Sequence, residues 1–426
     1  RVEDLLIVYL LAREAGLAEW TPKGLRCPLP VVPLFETMGD LEAGPGIVED
    51  FMSHPVTLNS LAALREKLGG DPSFQVMVGY SDSNKDCGIF ASQWALHRAQ
   101  KALSETIIKH AAKPVFFHGR GGTVGRGAGP THWFMDALPH GSLSGSMRMT
   151  EQGETIAQKY AHFSSAVYNA EILMASAASA TARHRHAKPQ ALAVEHILDG
   201  LAASSRDAYR SLLHTEGFMA FYRSATPIDA LENSRIGSRP SRRTGQASLD
   251  DLRAIPWVFS WTQDRFYLPG WFGAGSALKS LRDERPADYK ALAEALRESA
   301  FLKYVLTNIE SSLVSANADL MRAYAGLVPD ETVRERFMGR ILDEFDSTRV
   351  ILEDLFQGTF AERRPRLAYT LDIREAPLRA LHLQQVSLLR EWRGVLASGD
   401  QASADAMLPD MLISINAIAS GLRTTG

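Results

Sequence analysis

Cysteine is nearly absent: 426 residues carry two, Cys27 and Cys87. Two thiols cannot build a disulfide framework and suit a reducing compartment, so a cytoplasmic protein is expected. Also missing is any apolar run of the ~18 residues that a membrane span needs. The nearest candidate, Ala166 to Ala180, is interrupted by Asn169 and Glu171, and no membrane partner is expected. Charge of one sign is not in excess either, since 46 Lys and Arg against 49 Asp and Glu give a formal net charge of −3. That balance argues against a protein that neutralises many nucleic-acid phosphates. No repeat period or low-complexity tract occurs. The chain opens Arg1-Val2-Glu3-Asp4 with neither an initiator Met nor a signal-peptide pattern, so the true N-terminus is expected to lie upstream.

What is present is an ordinary globular composition, 45% hydrophobic and 22% charged, over a length that suits roughly two to three domains. Residues 1–17 read as a helix stopped near Gly16. Three strand-like runs follow, at 30–35, 74–80 and 114–117, separated by helical stretches near 57–68 and 91–111. Strands alternating with helices imply parallel βα units, in which polar residues at the C-terminal strand ends converge on one face. Each run is followed at once by reactive residue types: Glu36, then Asp82 and Lys85, then His118 and Arg120. Beyond about residue 153 the pattern is helical, near 154–183, 189–203, 205–217, 284–326, 329–356, 375–397 and 403–422. The last segment carries an apolar stripe, Leu408, Met411, Leu412, Ile415, Ile418, Ala419 and Leu422, expected to pack the tail inside. The fold class is therefore mainly α, with helices around part of a β/α barrel of the TIM type and then an all-helical C-terminal region. Residues 1–250 are expected to hold the catalytic portion and residues 251–426 the helical region with its tail.

The strongest single stretch is His118-Gly119-Arg120-Gly121-Gly122-Thr123-Val124-Gly125-Arg126-Gly127-Ala128-Gly129-Pro130. Its glycines let backbone approach a ligand and expose amides to anions, and its two arginines can clamp phosphate or carboxylate oxygens. It lacks the Gly-Lys-Ser/Thr ending of a nucleotide P-loop and the Gly-x-Gly-x-x-Gly spacing of a dinucleotide site. Glu36 and Asp82, at neighbouring strand ends, suit a hard cation such as Mg²⁺ or Mn²⁺, although two solvated acids would look the same. Lys85 could orient a substrate anion or sit on the surface. Arg223, Arg235, Arg239, Arg242 and Arg243 concentrate positive charge in a nearly neutral chain, a pattern suited to bidentate anion binding. Nucleic-acid contact by the same arginines is the rival that the overall charge disfavours.

Tyr80 to Asp86, His118 to Pro130, Met149 to Glu154, Arg223 to Pro227, Gly237 to Pro240 and Leu252 to Trp257 resemble, in order, the motifs of phosphoenolpyruvate carboxylase. The resemblance covers essentially the whole chain and corresponds to the C-terminal half of that family's polypeptide. It implies that bicarbonate attacks the phosphate of phosphoenolpyruvate, giving carboxyphosphate and an enolate that captures CO₂ to form oxaloacetate. By matching motifs, Glu36 and Asp82 would hold the metal, Arg120 and Arg239 would grip the phosphate, and Arg223 and Lys85 would add positive charge. His118 would position bicarbonate or carboxyphosphate, Arg126 would sit nearby on a mobile Gly-rich loop, and Leu34 would line an apolar pocket for the methylene carbon. A homotetramer is implied as well.

Two departures matter. A second essential histidine, in a Thr-Ala-His-Pro-Thr type motif, and another phosphate-binding arginine belong to the family's N-terminal half and do not occur here, so this chain alone is expected to lack a complete active site. The family's aspartate or malate site uses the loop arginine, a lysine, a second arginine and the asparagine of the terminal tetrapeptide. Arg126 matches the first, but the lysine position is Asn317 and the asparagine position is Thr424, while Leu371 or Arg374 could align with the second arginine. Weakened feedback inhibition is expected. A homologue that binds phosphoenolpyruvate or a dicarboxylate without catalysis is the alternative.

Overall fold

The structure, a computed structural model, describes residues 1–188, 192–233, 249 and 251–424. It is mainly helical, with a short antiparallel hairpin of β1 (Glu19–Thr21) and β2 (Gly24–Arg26) and one four-stranded sheet. The sheet runs β3 (Leu34–Phe35), β4 (Ser73–Gly79), β5 (Lys113–Gly119), β6 (Arg148–Met149), with every pair parallel. Its register pairs Phe35 with Val78, Val78 with His118, and His118 with Met149.

The two long strands lie where the β-branched and aromatic runs place them. Along β4, Phe74, Val76 and Val78 are buried, and along β5 Phe116 and His118 are fully so. The run at 30–35 pairs only over its last two residues, because Pro30 and Pro33 have no N–H to donate to a ladder. β6 is too short to leave a periodic signal in sequence.

Helix Met38–Ser53 follows β3. Gly39, Gly44, Pro45 and Gly46 hide it from propensity, yet Gly44 has a packing role: a Cβ there would lie 3.2 Å from the Phe35 ring. Helix Thr131–Asp136 and the helix Phe163–His186 pack together beyond β5. The helical stretches anticipated at 189–203 and 205–217 are, over the described residues, one helix, Glu195–Leu213, while 284–326 divides into Pro286–Leu296, Ala300–Ser315 and Ala318–Ala325. Ser299 and Asn317 cap the last two through their side chains.

The C-terminal pair is Pro365–Ala397 and Gln401–Leu422. The longer helix begins ten residues before the apolar pattern suggests, with Pro365 at its first turn and Pro377 inside it. In the shorter one Met411, Ile415, Ile418 and Ala419 are buried, while Leu408, Leu412 and Leu422 are half-buried. Thr424 is buried too, so the described end of the tail packs inward.

Candidate active site

Parallel alignment gathers the C-terminal ends of β3 to β6 on one side of the sheet. Glu36 follows β3 directly. Gly79, the last residue of β4, has to be glycine, since a Cβ there would lie 2.5 Å from Glu36 Cβ and 3.4 Å from its Oε2. Glu36 therefore lies over the end of β4, beside the short helix Ser81–Cys87 that carries Asp82 in its first turn and Lys85 in its last. Asp82 is half-buried and Lys85 is buried. Leu34, on the opposite side of the chain from buried Phe35, is 43% exposed at the edge of the sheet.

The Gly/Arg stretch after β5, which the family resemblance matches to a mobile loop, is held by a network of hydrogen bonds in this conformation. Val124–Arg126 forms a 3₁₀ turn, Gly121 N donates to Arg126 O at 2.8 Å, and Asn84 Nδ2 donates to Gly125 O at 2.6 Å. Gly127 sits at φ +83° with its Cα against the Tyr80 ring, where a Cβ would approach to 2.6 Å. Only glycine satisfies both the left-handed backbone and that approach. Arg120 closes the loop from below: its Nε and Nη2 donate to Gly127 O and Gly129 O, Nη1 meets Met149 Sδ at 3.1 Å, and the guanidinium lies 4.1 Å over the Phe134 ring. Arg120 is thus occupied with the loop in this conformation.

Arg126 is buried and its Nε donates to Ser81 Oγ at 3.1 Å. Burial pushes the guanidinium down to about 10, against the pull of Glu154 and Asp82. Glu154, part of the Met149 to Glu154 motif but given no role from sequence, reaches the same loop: a Cβ on Gly122 would lie 2.9 Å from its Oε1. Phe134 and Tyr304 also shape the site without any sequence signal beyond apolar character, and Tyr80 and Asn84 do so from within the Tyr80 to Asp86 motif, where neither was given a role. Tyr304 is the most distant of these, donating to Gly127 O from helix Ala300–Ser315.

His118 ends β5 and is completely buried. Its Nδ1 lies 2.9 Å from the Tyr80 hydroxyl, and Phe134 meets the ring edge-to-face at 4.9 Å. Burial, then the charge of Arg120, pushes the imidazole down to about 3, so it is neutral. The imidazole shares one hydrogen bond with the Tyr80 hydroxyl through Nδ1, while Nε2 is buried and has no hydrogen-bond partner among the described residues.

Arg223, in the last turn of helix Phe218–Ala225, makes a two-pronged ion pair with Glu232 at 3.3 and 3.2 Å. Helix Ala254–Gln263 links it to the loop, because Tyr222 meets Ser260 at 2.9 Å and Val258 lies against Gly125. Arg235, Arg239, Arg242 and Arg243 fall outside the described residues.

Of the residues matched to an effector site, Arg126 belongs to this loop, and the others lie on the C-terminal helices and the tail. Asn317 caps helix Ala318–Ala325 by accepting from Leu320 N at 3.0 Å, and its Nδ2 donates to Glu375 at 2.7 Å. Glu375 also pairs with buried Arg265. Arg374 lies next to Arg423, and burial followed by that like charge lowers its pKa. Leu371 instead lines a cavity of about 500 Å³ together with Asn317. Gln158 donates to Arg423 O at 3.1 Å, tying the tail to the helix Gly153–Tyr160 that bears Glu154 in its first turn.

Two carboxylates at the ends of adjacent strands thus stand beside cationic side chains and a neutral buried imidazole in an α/β-type arrangement. Among the described residues no group of three or more His, Cys, Asp or Glu is gathered as a closed metal cage. The Glu36 and Asp82 pair suits a hard cation whose remaining ligands are water and substrate oxygens. The family model for phosphoenolpyruvate carboxylase matches residues 1–426. Curated relatives include the phosphoenolpyruvate carboxylases of Methylorubrum extorquens (41% identical over 427 residues, 99% of this chain and 45% of that protein), Xanthomonas euvesicatoria (37% over 425, 99% and 45%) and a Synechococcus strain (37% over 444, 100% and 44%). The chain belongs to the phosphoenolpyruvate carboxylase family and spans a little under half the length of these relatives.

Proposed function

We propose that the protein to which this chain contributes carboxylates phosphoenolpyruvate with bicarbonate, giving oxaloacetate and phosphate. The observation that carries this reading is the meeting of Glu36, Asp82, buried Lys85, neutral His118 and the arginine-bearing glycine loop at the ends of adjacent parallel strands. A divalent cation, Mg²⁺ or Mn²⁺, held by Glu36 and Asp82 supplies Lewis acidity toward the oxygens of the bound anion.

The chain's own residues do the rest. Arg120 and Arg239 bind the phosphoryl oxygens and Arg223 and Lys85 add positive charge, so that the negative charge of the phosphoryl transfer meets fixed cations. A bicarbonate oxygen attacks phosphorus, the bond from phosphorus to the enol oxygen breaks, and carboxyphosphate and the enolate of pyruvate result. The carbon–oxygen bond of carboxyphosphate then breaks, its proton passes to the departing inorganic phosphate, and the CO₂ released is captured by the methylene carbon of the enolate. His118 presents Nε2–H to bicarbonate or carboxyphosphate as a neutral donor, a role suited to an imidazole that stays unprotonated across the working pH range. Arg126 and the clamped loop cover the centre, and Leu34 lines the apolar pocket for the methylene carbon. Keeping water out matters because water would protonate the enolate and release pyruvate. For Arg120 to bind phosphate it must exchange at least one of its bonds to Gly127 O, Gly129 O or Met149.

In this reading the remainder of the family's polypeptide completes both the active site and the β/α barrel. The protein works as a cytoplasmic homotetramer, residues 1–250 hold the chemistry, and the region from 251 carries oligomer and effector surfaces. Aspartate or malate inhibition is weakened by Asn317 and Thr424. The test uses the full polypeptide and ¹⁸O-labelled bicarbonate. Phosphate carrying one labelled oxygen per oxaloacetate formed is the expected result. Tight phosphoenolpyruvate binding with no oxaloacetate would replace the carboxylase with a non-catalytic binder.

A further inference from the structure

We infer that Arg393 is a positioning residue for Arg223, clasping the turn from which the Arg223 side chain is aimed. The inference rests on the reading that Arg223 faces the reacting anions.

Arg393 lies on the C-terminal helix Pro365–Ala397, about 170 residues away in sequence. All three of its guanidinium nitrogens are used. Nε donates to Asp229 Oδ2 at 2.8 Å and Nη2 to Asp229 Oδ1 at 2.9 Å, Nη1 donates to Ser224 O at 2.6 Å, and Nη2 also donates to Arg223 O at 3.1 Å and Thr226 O at 2.7 Å. The pair is largely shielded, with side-chain exposures of 21% for Arg393 and 24% for Asp229.

The carbonyls it takes are those that a helix end leaves open. In helix Phe218–Ala225 the Tyr222 carbonyl accepts from Thr226 N, but those of Arg223 and Ser224 have no partner inside the helix. Arg393 supplies both bonds from another element and places its charge where the helix dipole favours a cation. Its other prong holds Asp229, in the first turn of the next helix, Ile228–Glu232. One guanidinium therefore fixes the end of one helix, the Thr226-Pro227 turn and the start of the following helix. The Arg223 side chain spans that same turn to reach Glu232, so the turn angle sets where the Arg223 fork points. Lysine cannot replace this clasp, because a single ammonium cannot grip a carboxylate with two prongs and three separated carbonyls at once.

The experiment uses the full polypeptide and measures kcat and KM for phosphoenolpyruvate in Arg393→Lys, Arg223→Ala and the double variant, with thermal unfolding alongside. Arg393→Lys is expected to lower kcat roughly ten- to a hundredfold, as a misplacement near 1 Å does, while KM moves little and the unfolding midpoint stays within a few degrees. The double variant is expected to be no slower than Arg223→Ala alone, because both changes remove one interaction. Losses that multiply, or a kcat for Arg393→Lys within about twofold of the parent protein while Arg223→Ala is impaired, would overturn the positioning role and leave the function intact. Full activity in Arg223→Ala would overturn the assignment of Arg223 and the clasp with it. Should Arg393→Lys fail to fold, Asp229→Asn keeps the bonds to the carbonyls and is expected to show the same lack of additivity with Arg223→Ala at a smaller loss. Multiplying losses there would contradict the inference equally.

Discussion

The strand-end centre and the neighbourhood of the tail are both rich in charge, but they use it differently. At the strand ends Lys85, Arg120, Arg126 and His118 are buried beside glycines such as Gly79, Gly121 and Gly127 that could carry no side chain without collision, and His118 keeps one ring nitrogen without a partner among the described residues. Around the tail, Asn317 spends its oxygen on a helix cap and its nitrogen on Glu375, and Glu375 is shared with Arg265. In the first region polar groups are held ready at a cost in backbone freedom, whereas in the second the polar groups at the positions matched to effector contacts are used up by the fold.

The largest expected effect separates the two regions outright. In the full polypeptide, Asp82→Asn and Glu36→Gln are expected to lower oxaloacetate formation by roughly a thousandfold or more, a loss on the scale of removing preorganised electrostatic stabilisation, with circular dichroism and the unfolding midpoint unchanged. Asn317→Ala should leave turnover nearly intact and lower stability by about 1 kcal/mol through loss of the cap.

A second comparison is between glycines. Gly127→Ala places a Cβ 2.6 Å from the Tyr80 ring at φ +83°, and is expected to lower stability by about 2–4 kcal/mol and to impair turnover. Gly153→Ala, with nothing within 4 Å of the new carbon, should change stability by less than about 0.5 kcal/mol.

The third concerns pH. His118 and His382 are completely buried, each with its pKa pushed down to about 3, first by burial and then by a neighbouring arginine. The unfolded chain binds protons at these side chains below about pH 6.5 while the folded chain does not. Stability therefore rises with pH across that window and is lost as pH falls from about 6.5 toward 3. The unfolding midpoint should drop by a few degrees between pH 7 and 5, and His382→Gln, which removes a buried imidazole bonded to Tyr324, should flatten that slope.

The smallest effect is on inhibition. Aspartate or malate is expected to inhibit the enzyme weakly, and Asn317→Lys combined with Thr424→Asn should tighten inhibition by roughly tenfold. Low-millimolar inhibition of the unaltered enzyme would contradict this.

The reactive ends of β3, β4 and β5 were legible in the sequence because apolar runs there stop abruptly at polar residues, and period and position are what sequence reports well. Three things were not. Helix Met38–Ser53 is hidden because its glycines and proline serve packing against Phe35 rather than propensity. The tethering of the glycine loop is hidden because two of its bonds come from Asn84 and Tyr304, which are distant in the chain, and the third from Arg120, whose inward turn no local pattern reports. The fixing of Arg223 from Arg393 and the place of Glu154 beside Arg126 depend on contacts across the fold, which no local pattern encodes.

Whether the strand-end cluster is the working centre of a carboxylase turns on one reaction. The most direct measurement is bicarbonate-dependent oxaloacetate formation from phosphoenolpyruvate by the full polypeptide with Mg²⁺ or Mn²⁺, in the unaltered protein and in His118→Asn. The expected result is activity that requires both bicarbonate and the metal and falls at least roughly a hundredfold in the variant. A folded, metal-loaded protein that binds phosphoenolpyruvate but forms no oxaloacetate, or a variant with full activity, would contradict it.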